Sequence, residues 1–322
     1  SPPETSTVSN SLRMVPRWSA TFMMIGLMAC APEGGREFLS LGTAGTGGVY
    51  YPLGGALASR LSIADSVRQF TAEVSGGSIE NISRLASGQM DLAFVLAVSA
   101  YQAYNGEGDN AMAVSGLRIL APLYPNLTHV LVTGNSTAQS IADFRGMKVS
   151  VGAAGSGTEQ MSRHLLEAHG LTYDDISPQY LSFAESSTAL RDGAIDAAII
   201  SVGYPAAAVL EATTTGDVRL IAVTEEGITA LRAAHPYYTT GVIPAGAYPG
   251  VEEALPTAAV INWIVAMESL DDEVVTSLLN MLADDMESLE RVHDMAKQID
   301  LARLQDPPIP LHAAVERWLA SR

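Results

Sequence analysis

One glycine-turn phrase is written twice in the first half of the chain. Gly42-Thr43-Ala44-Gly45-Thr46-Gly47 and Gly152-Ala153-Ala154-Gly155-Ser156-Gly157 share the pattern G-x-A-G-[S/T]-G. Each follows an alternating apolar run, Phe38-Leu39-Ser40-Leu41 or Lys148-Val149-Ser150-Val151, and each opens a helical pattern. A glycine turn between strand and helix leaves backbone N–H groups without intrahelical acceptors at the positive end of the helix, a ready anion site. Two such turns predict two lobes that present helix N-termini to one ligand held between them.

A second pair of phrases closes each unit. Ser87-Gly88-Gln89-Met90-Asp91-Leu92-Ala93 matches Asp192-Gly193-Ala194-Ile195-Asp196-Ala197-Ala198. Between turn and closing phrase, apolar residues recur at helical spacing, as at Val49, Leu53, Ala56, Leu57 and Leu61, or at Met161, Leu165 and Leu166. The order strand–helix–strand–helix–strand, written twice, predicts an α/β fold of two mainly parallel-sheet lobes. Ligands of such sheets sit at the carboxyl ends of the strands, where both glycine turns fall. Residues 117–132, rich in β-formers and interrupted by Pro122 and Pro125, and residues 257–267 read as a pair of hinge strands joining the lobes, with a ligand cleft between them. Residues 241–249, between the second unit and the strand 257–267, are full of Gly and Pro. Ser269-Leu270-Asp271-Asp272 has the character of a capping box ahead of a helix burying Val274, Val275, Leu278, Leu279 and Leu282. A last helix is expected over 311–319. The lobes divide as 37–130 plus 260–322 for the first and 131–259 for the second.

Charge narrows the partners. The 322 residues carry a formal net charge of −17, and Lys148 and Lys297 are the only lysines. Such a chain repels nucleic acid. Any bound anion is therefore small and held by backbone dipoles and hydroxyls. From Met14 the sequence runs through Arg17 and an apolar stretch, 18–28, to Leu27-Met28-Ala29-Cys30. This reads as a lipoprotein signal segment (1–30) with Cys30 as the lipidated residue, followed by a tether (31–36). The expectation is a periplasmic domain that meets the membrane through a lipid anchor only.

Several phrases, in order, resemble the TAXI family of TRAP transporter substrate-binding receptors. They are Gly42-Thr43-Ala44-Gly45-Thr46-Gly47-Gly48-Val49-Tyr50-Tyr51-Pro52-Leu53-Gly54, Ser75-Gly76-Gly77-Ser78-Ile79-Glu80-Asn81-Ile82, Phe144-Arg145-Gly146-Met147-Lys148-Val149-Ser150-Val151-Gly152, and Ile243-Pro244-Ala245-Gly246-Ala247-Tyr248-Pro249-Gly250. The resemblance implies a periplasmic-binding-protein-like fold closing over a small organic anion, such as a mono- or dicarboxylate, keto acid or acidic amino acid. It also implies delivery to the membrane subunits of a TRAP permease. Where that family often carries Gln-Ser-Asp after a strand, this chain has Leu96-Ala97-Val98. The change places Ala97 in the cleft and favours a less polar carboxylate. A binding protein of an ABC transporter, or a periplasmic enzyme on the same scaffold, shares the implied fold.

Thr46 and Ser156 hold equivalent positions in the two turns, where a hydroxyl can donate to a carboxylate or simply cap a helix. Gly47, Gly157 and Thr158 complete those turns. Ser75 and Ser78 flank Gly76-Gly77 in another strand–helix turn. Of Tyr50 and Tyr51, Tyr50 is taken to face the cleft. Gly203-Tyr204, after the third strand of the second unit, is expected to form its far wall. Trp263 reads as core packing beside Asn262. Catalytic patterns are missing: no P-loop or dinucleotide ending follows the turns, Ala154 stands where a nucleophile elbow needs Gly, and His164 and His169 lack zinc-helix spacing. A non-enzymatic protein without cofactor or metal is expected.

Overall fold

The computed structural model describes residues 36–108, 112–215 and 217–322, so the signal segment with Cys30, and the tether apart from Arg36, lie outside the described residues. The first repeat folds as β1 (Glu37–Gly42), α1 (Tyr50–Ala64), β2 (Arg68–Glu73), α2 (Ser78–Ala86), β3 (Leu92–Leu96) and α3 (Ala97–Asn105). The long β4 (Leu117–Thr133) leads into the second: β5 (Lys148–Ser150), α4 (Gly157–Ala168), β6 (Ser177–Gln179), α5 (Phe183–Arg191) and β7 (Ala197–Val202). It continues through α6 (Ala207–Thr215), β8 (Val218–Ile221), α7 (Glu225–Ala234) and β9 (Tyr238–Ile243). Then β10 (Leu255–Met267) returns to the first repeat, and α8 (Asp272–Asp284), α9 (Met286–Glu290) and α10 (Ala313–Ala320) follow.

The sheet order is β2-β1-β3-β10-β4-β7-β5-β6, so the repeats mirror each other about the central pair β10-β4. In each repeat the first strand pairs in parallel with the second and the third. The two central strands belong to both halves. Residues 117–127 of β4 lie antiparallel to β10, whereas 127–133 lie beside β7 and β8. Residues 255–260 of β10 pair with β9, and 262–266 pair with β3. This is the two-lobed, two-hinge-strand architecture expected from the sequence.

Pro122 and Pro125 do not interrupt β4, contrary to expectation. They face Trp263 and Ile261 across a register shift that leaves Asn262 without a partner on β4. Proline removes a ladder donor, and a bulge is where a strand tolerates that loss. The Asn262 side chain makes it good, because its Nδ2 donates to the Tyr124 carbonyl at 2.7 Å. The Gly- and Pro-rich 241–249 segment begins inside a strand, β9. Gly241 lies in β9 opposite Thr257, and a Cβ there would fall 2.7 Å from Leu127 and 2.9 Å from Ala259, so only glycine allows β9 to close on the crossing.

The repeated aspartates do one structural job twice. Asp91 Oδ2 accepts from the Ser40 N–H, and Asp196 Oδ2 accepts from the Lys148 N–H, each at 2.7 Å. Each closing phrase thus ties its third strand to its first at the end away from the glycine turns. Helix α8 buries the five apolar residues expected, with Asp271 as its N-cap accepting from the Glu273 N–H. Burial of side chains of that size contributes about 1.5–3 kcal/mol each. Among the described residues no helix is long and apolar enough to cross a membrane.

Candidate functional site

Four strand-to-helix turns, two from each lobe, meet around one cavity. Helices α1, α2, α4 and α5 each begin at a residue lining it: Tyr50, Ser78, Gly157 and Phe183. Space not filled by protein atoms amounts to about 630 Å³, part of it open to solvent. The first repeat supplies Ala44, Gly45, Gly48, Val49 and the Ser75–Ser78 turn, and the second supplies Ala153, Thr158 and Ser182. Leu96 and Val202, at the ends of β3 and β7, add apolar surface, and Tyr124, Asn126 and Ser201 form a polar floor. Among the described residues no Lys, Arg, His, Asp, Glu or Cys lines the cavity, so it can stabilise an anion only through dipoles and hydroxyls.

Six of the expected site residues line this cavity: Tyr50, Ser75, Ser78, Ser156, Gly157 and Thr158. Tyr50 is 8 % exposed and Tyr51 is 39 % exposed, which settles which of the two turns inward. Ser156 caps α4, accepting from the Glu159 N–H at 3.0 Å, and faces the cavity as well. Ser75 serves its turn: its hydroxyl donates to the Thr43 carbonyl and accepts from the Gly77 N–H. Ser78 Oγ accepts from the Leu96 N–H at 3.0 Å. Trp263 is buried and does not line the cavity.

Five expected residues do not belong to the lining and are corrected here. Thr46 is exposed, although Ser156 is buried. The reason is where each helix starts: α4 begins at Gly157, whereas α1 begins at Tyr50, three residues beyond the corresponding Gly47. Gly47 instead packs on Phe183, Ala184 and Ala208 of the other lobe, and Gly45 and Gly48 line the cavity in its place. Ala97 begins α3 and is buried behind Leu96, which presents the apolar side chain. Gly203 sits against Tyr124 and Met295, where a Cβ would fall 2.8 Å from the Tyr124 ring. That packing carries Gly203 and Tyr204 past the wall, which Ser201 and Val202 form.

The lobes touch directly across the cleft, so this structure is closed. The Ile79 and Glu80 N–H groups, at the start of α2, donate to the Gly155 carbonyl at 3.1 and 3.0 Å. In reverse, the Ala208 N–H at the start of α6 donates to the Gly47 carbonyl at 3.1 Å. Gln160 of α4 adds a side-chain bridge, accepting from Ser99 and donating to Gln102, both on α3. The first turn of α2 is therefore spent on the opposite lobe, which leaves α1, α4 and α5 to direct N-termini at a ligand. Each such helix end contributes about 0.3–1 kcal/mol to holding an anion, rising toward 2 where partly buried.

The floor is a buried hydrogen-bond network centred on Asn262. Its Oδ1 accepts from the Tyr50 hydroxyl, and its Nδ2 donates to the Tyr124 carbonyl and to Asn126 Oδ1. Asn126 Nδ2 then donates to the Ser201 carbonyl at 2.9 Å. The chain of contacts runs from α1 through both hinge strands to β7. Burial holds the Tyr50 phenol far above its usual range, opposed in part by a hydrogen bond with Ser78. Burial, and then the neighbouring Tyr50, do the same for Tyr124. Both stay neutral hydroxyls at any working pH.

Tyr124, Asn126, Ser182 and Ser201 were not singled out from the sequence. Ser182 had a signal, since Ser182-x-x-Glu185 is a capping box at the second-lobe counterpart of the Ser75–Ser78 turn. Asn126 had a weaker one, a polar residue inside an apolar strand.

Fold and cavity together define a periplasmic-binding-protein-like molecule, two α/β lobes closed over a small central site. The chain belongs to the NMT1-like family, which it matches over residues 41–320. A protein of Escherichia coli (strain K12) named "Putative aliphatic sulfonates-binding protein" is 35% identical over 100 residues. That stretch covers 31% of this chain and 30% of the relative, under a third of either. Among solved structures, PhnD1 from Prochlorococcus marinus (MIT 9301) in complex with methylphosphonate aligns with a TM-score of 0.56 at 13% identity, covering 89% of this chain and 99% of that one. The periplasmic binding protein BugD aligns with a TM-score of 0.55 at 14% identity, covering 88% and 96%. At such identities these structures speak to the fold alone.

Proposed function

We propose that the protein is an extracytoplasmic solute receptor that binds a small organic oxyanion between its lobes and hands it to a membrane importer. One observation carries this reading: N-termini of helices from both lobes, with serine and threonine hydroxyls, surround one cavity whose described lining holds no charged side chain. Tyr50, Ser78, Ser156, Gly157 and Thr158 are the contacts proposed for the ligand, with Gly45 and Gly48 in place of Thr46 and Gly47. Residues 37–130 with 260–322, and 131–259, are taken as the bodies that move about β4 and β10. The oxyanion engages the open form and shifts the open–closed equilibrium toward the closed one, which the importer reads. The described lining pairs its hydroxyls with no carboxylate, imidazole, amine or thiol that could act as their base, which suits binding and not turnover.

Of the two delivery systems, we favour an ABC-type importer over a TRAP permease. The family match falls on the NMT1-like family, and the curated relative is named for aliphatic sulfonates. Alkyl sulfonates and phosphonates therefore join carboxylates as candidate ligands. The proposed setting is the periplasm, with Cys30 as the lipid anchor.

A thermal-shift screen of alkyl sulfonates, phosphonates, carboxylates, sugars and metal cations tests the reading. An oxyanion at a hundredfold excess over Kd adds about 2.7 kcal/mol of stability and raises the melting temperature by several degrees. Stabilisation by sugars or cations alone would contradict it.

A further inference from the structure

Donor and acceptor accounting across the cavity leaves two hydroxyls over. Tyr124 is 0 % exposed and Ser201 3 % exposed, both line the cavity, and among the described residues neither Tyr124 Oη nor Ser201 Oγ finds a hydrogen-bond partner in the protein. Buried hydroxyls are normally satisfied, and an orphaned one needs a reason. The neighbouring polar side chains of the floor bond elsewhere. The Tyr50 hydrogen is spent on Asn262, the Asn262 amide donates to the Tyr124 carbonyl and to Asn126 Oδ1, and Asn126 Nδ2 donates to the Ser201 carbonyl and not to its hydroxyl. Packing does not move the two hydroxyls elsewhere, because the Tyr124 ring lies against Gly203 and Ser201 is fixed in the β4–β7 ladder.

The same accounting finds few acceptors on offer. The carbonyls of Gly77, Ala153 and Gly155 in the surrounding loops already take backbone N–H groups. Glu80 and Glu185, which follow two of the lining turns, are turned onto the Gly76 N–H and onto Ser182. An ammonium group needs acceptors, preferably a carboxylate, and buried without them it is strongly disfavoured. A sulfonate or carboxylate needs donors alone.

Resting on the function proposed above, we infer that the Tyr124 and Ser201 hydroxyls are specificity-determining donors to the ligand's oxyanion head. We infer also that the site takes alkyl oxyanions without a cationic group and rejects their amino counterparts. Amino acids, acidic ones included, thereby fall outside the ligand class. The apolar tail meets Leu96, Val49 and Val202.

Calorimetric titration of the folded domain with two matched pairs tests this: ethanesulfonate against 2-aminoethanesulfonate, and propionate against 3-aminopropionate. At least one plain oxyanion is expected to bind at least tenfold tighter than its amino partner. Tyr124→Phe and Ser201→Ala should each weaken that binding by about tenfold, with an unliganded melting temperature equal to or above that of wild type, because no protein partner is lost. Equal binding of the amino partner, wild-type affinity in both variants, or a lower unliganded melting temperature for Tyr124→Phe would each overturn the inference while leaving the receptor reading standing. Failure of both plain oxyanions to bind the wild type would overturn the inference, and failure of every oxyanion in the thermal-shift screen would bring down the receptor reading as well.

Discussion

Gly157→Val should abolish tight ligand binding and leave the unliganded protein folded. Gly157 opens α4 at the point where the lobes come closest. A Cβ there would lie 2.6 Å from Ser78 Oγ and 2.6 Å from Leu96 Cδ1, both on the opposite lobe. A leucine tip can swing aside, but a serine hydroxyl held by the Leu96 N–H cannot, and valine adds two methyls to the clash. The strain exists only when the cleft is closed, so the variant relieves it by staying open. The loss therefore falls on affinity and not on folding. At least a hundredfold weaker binding, about 2.7 kcal/mol, is expected by calorimetry. An unchanged melting temperature without ligand is expected beside it. Wild-type affinity would mean that the ligand does not need this closure.

The second large effect is on stability. Asn262→Leu keeps the volume of the side chain and removes its three hydrogen bonds at once: the acceptor for Tyr50, the donor to Asn126, and the donor to the Tyr124 carbonyl that patches the bulge opposite Pro122 and Pro125. Asn262 is fully buried, so the stranded groups find no water. Each buried polar group left without a partner costs about 1–3 kcal/mol, and members of one network do not add simply. A loss of about 3–5 kcal/mol in urea unfolding is expected, a large share of the about 5–15 kcal/mol that holds most domains. A loss below 1 kcal/mol would show that the network is not what stabilises the hinge.

Much of the fold could be read from the sequence because it is duplicated. Two turns, two closing phrases and the helical spacing between them define the strands on either side of the crossing, and the mirrored sheet order follows from that repeat. What has no counterpart was missed. The stretch from α6 to β9 belongs to the second lobe only, and its glycines and prolines hide a strand whose pairing with β10 is set by distant residues.

The site divides along the same line. Residues in the turns, such as Ser156, Gly157 and Ser78, were found because glycine punctuation marks helix starts. Thr46 was misplaced because one phrase can precede helices that begin three residues apart. Tyr124 and Ser201 sit inside apolar strands, and nothing local marks them. Their place in the cavity lining depends on which strand face turns toward it and on the bulge at Asn262. Hinge residues of this kind are visible only once the crossing is built.

Seating of an oxyanion on backbone N–H groups is tested most directly by amide resonances of the isotopically labelled protein during titration with ethanesulfonate. Signals of Gly48, Gly157 and Thr158 are expected to move downfield together and saturate with a single Kd, while those of Asp91 and Asp196, at the far ends of the lobes, stay in place. Saturating binding that leaves the Gly48, Gly157 and Thr158 amides unmoved would contradict an anion held between the two glycine turns.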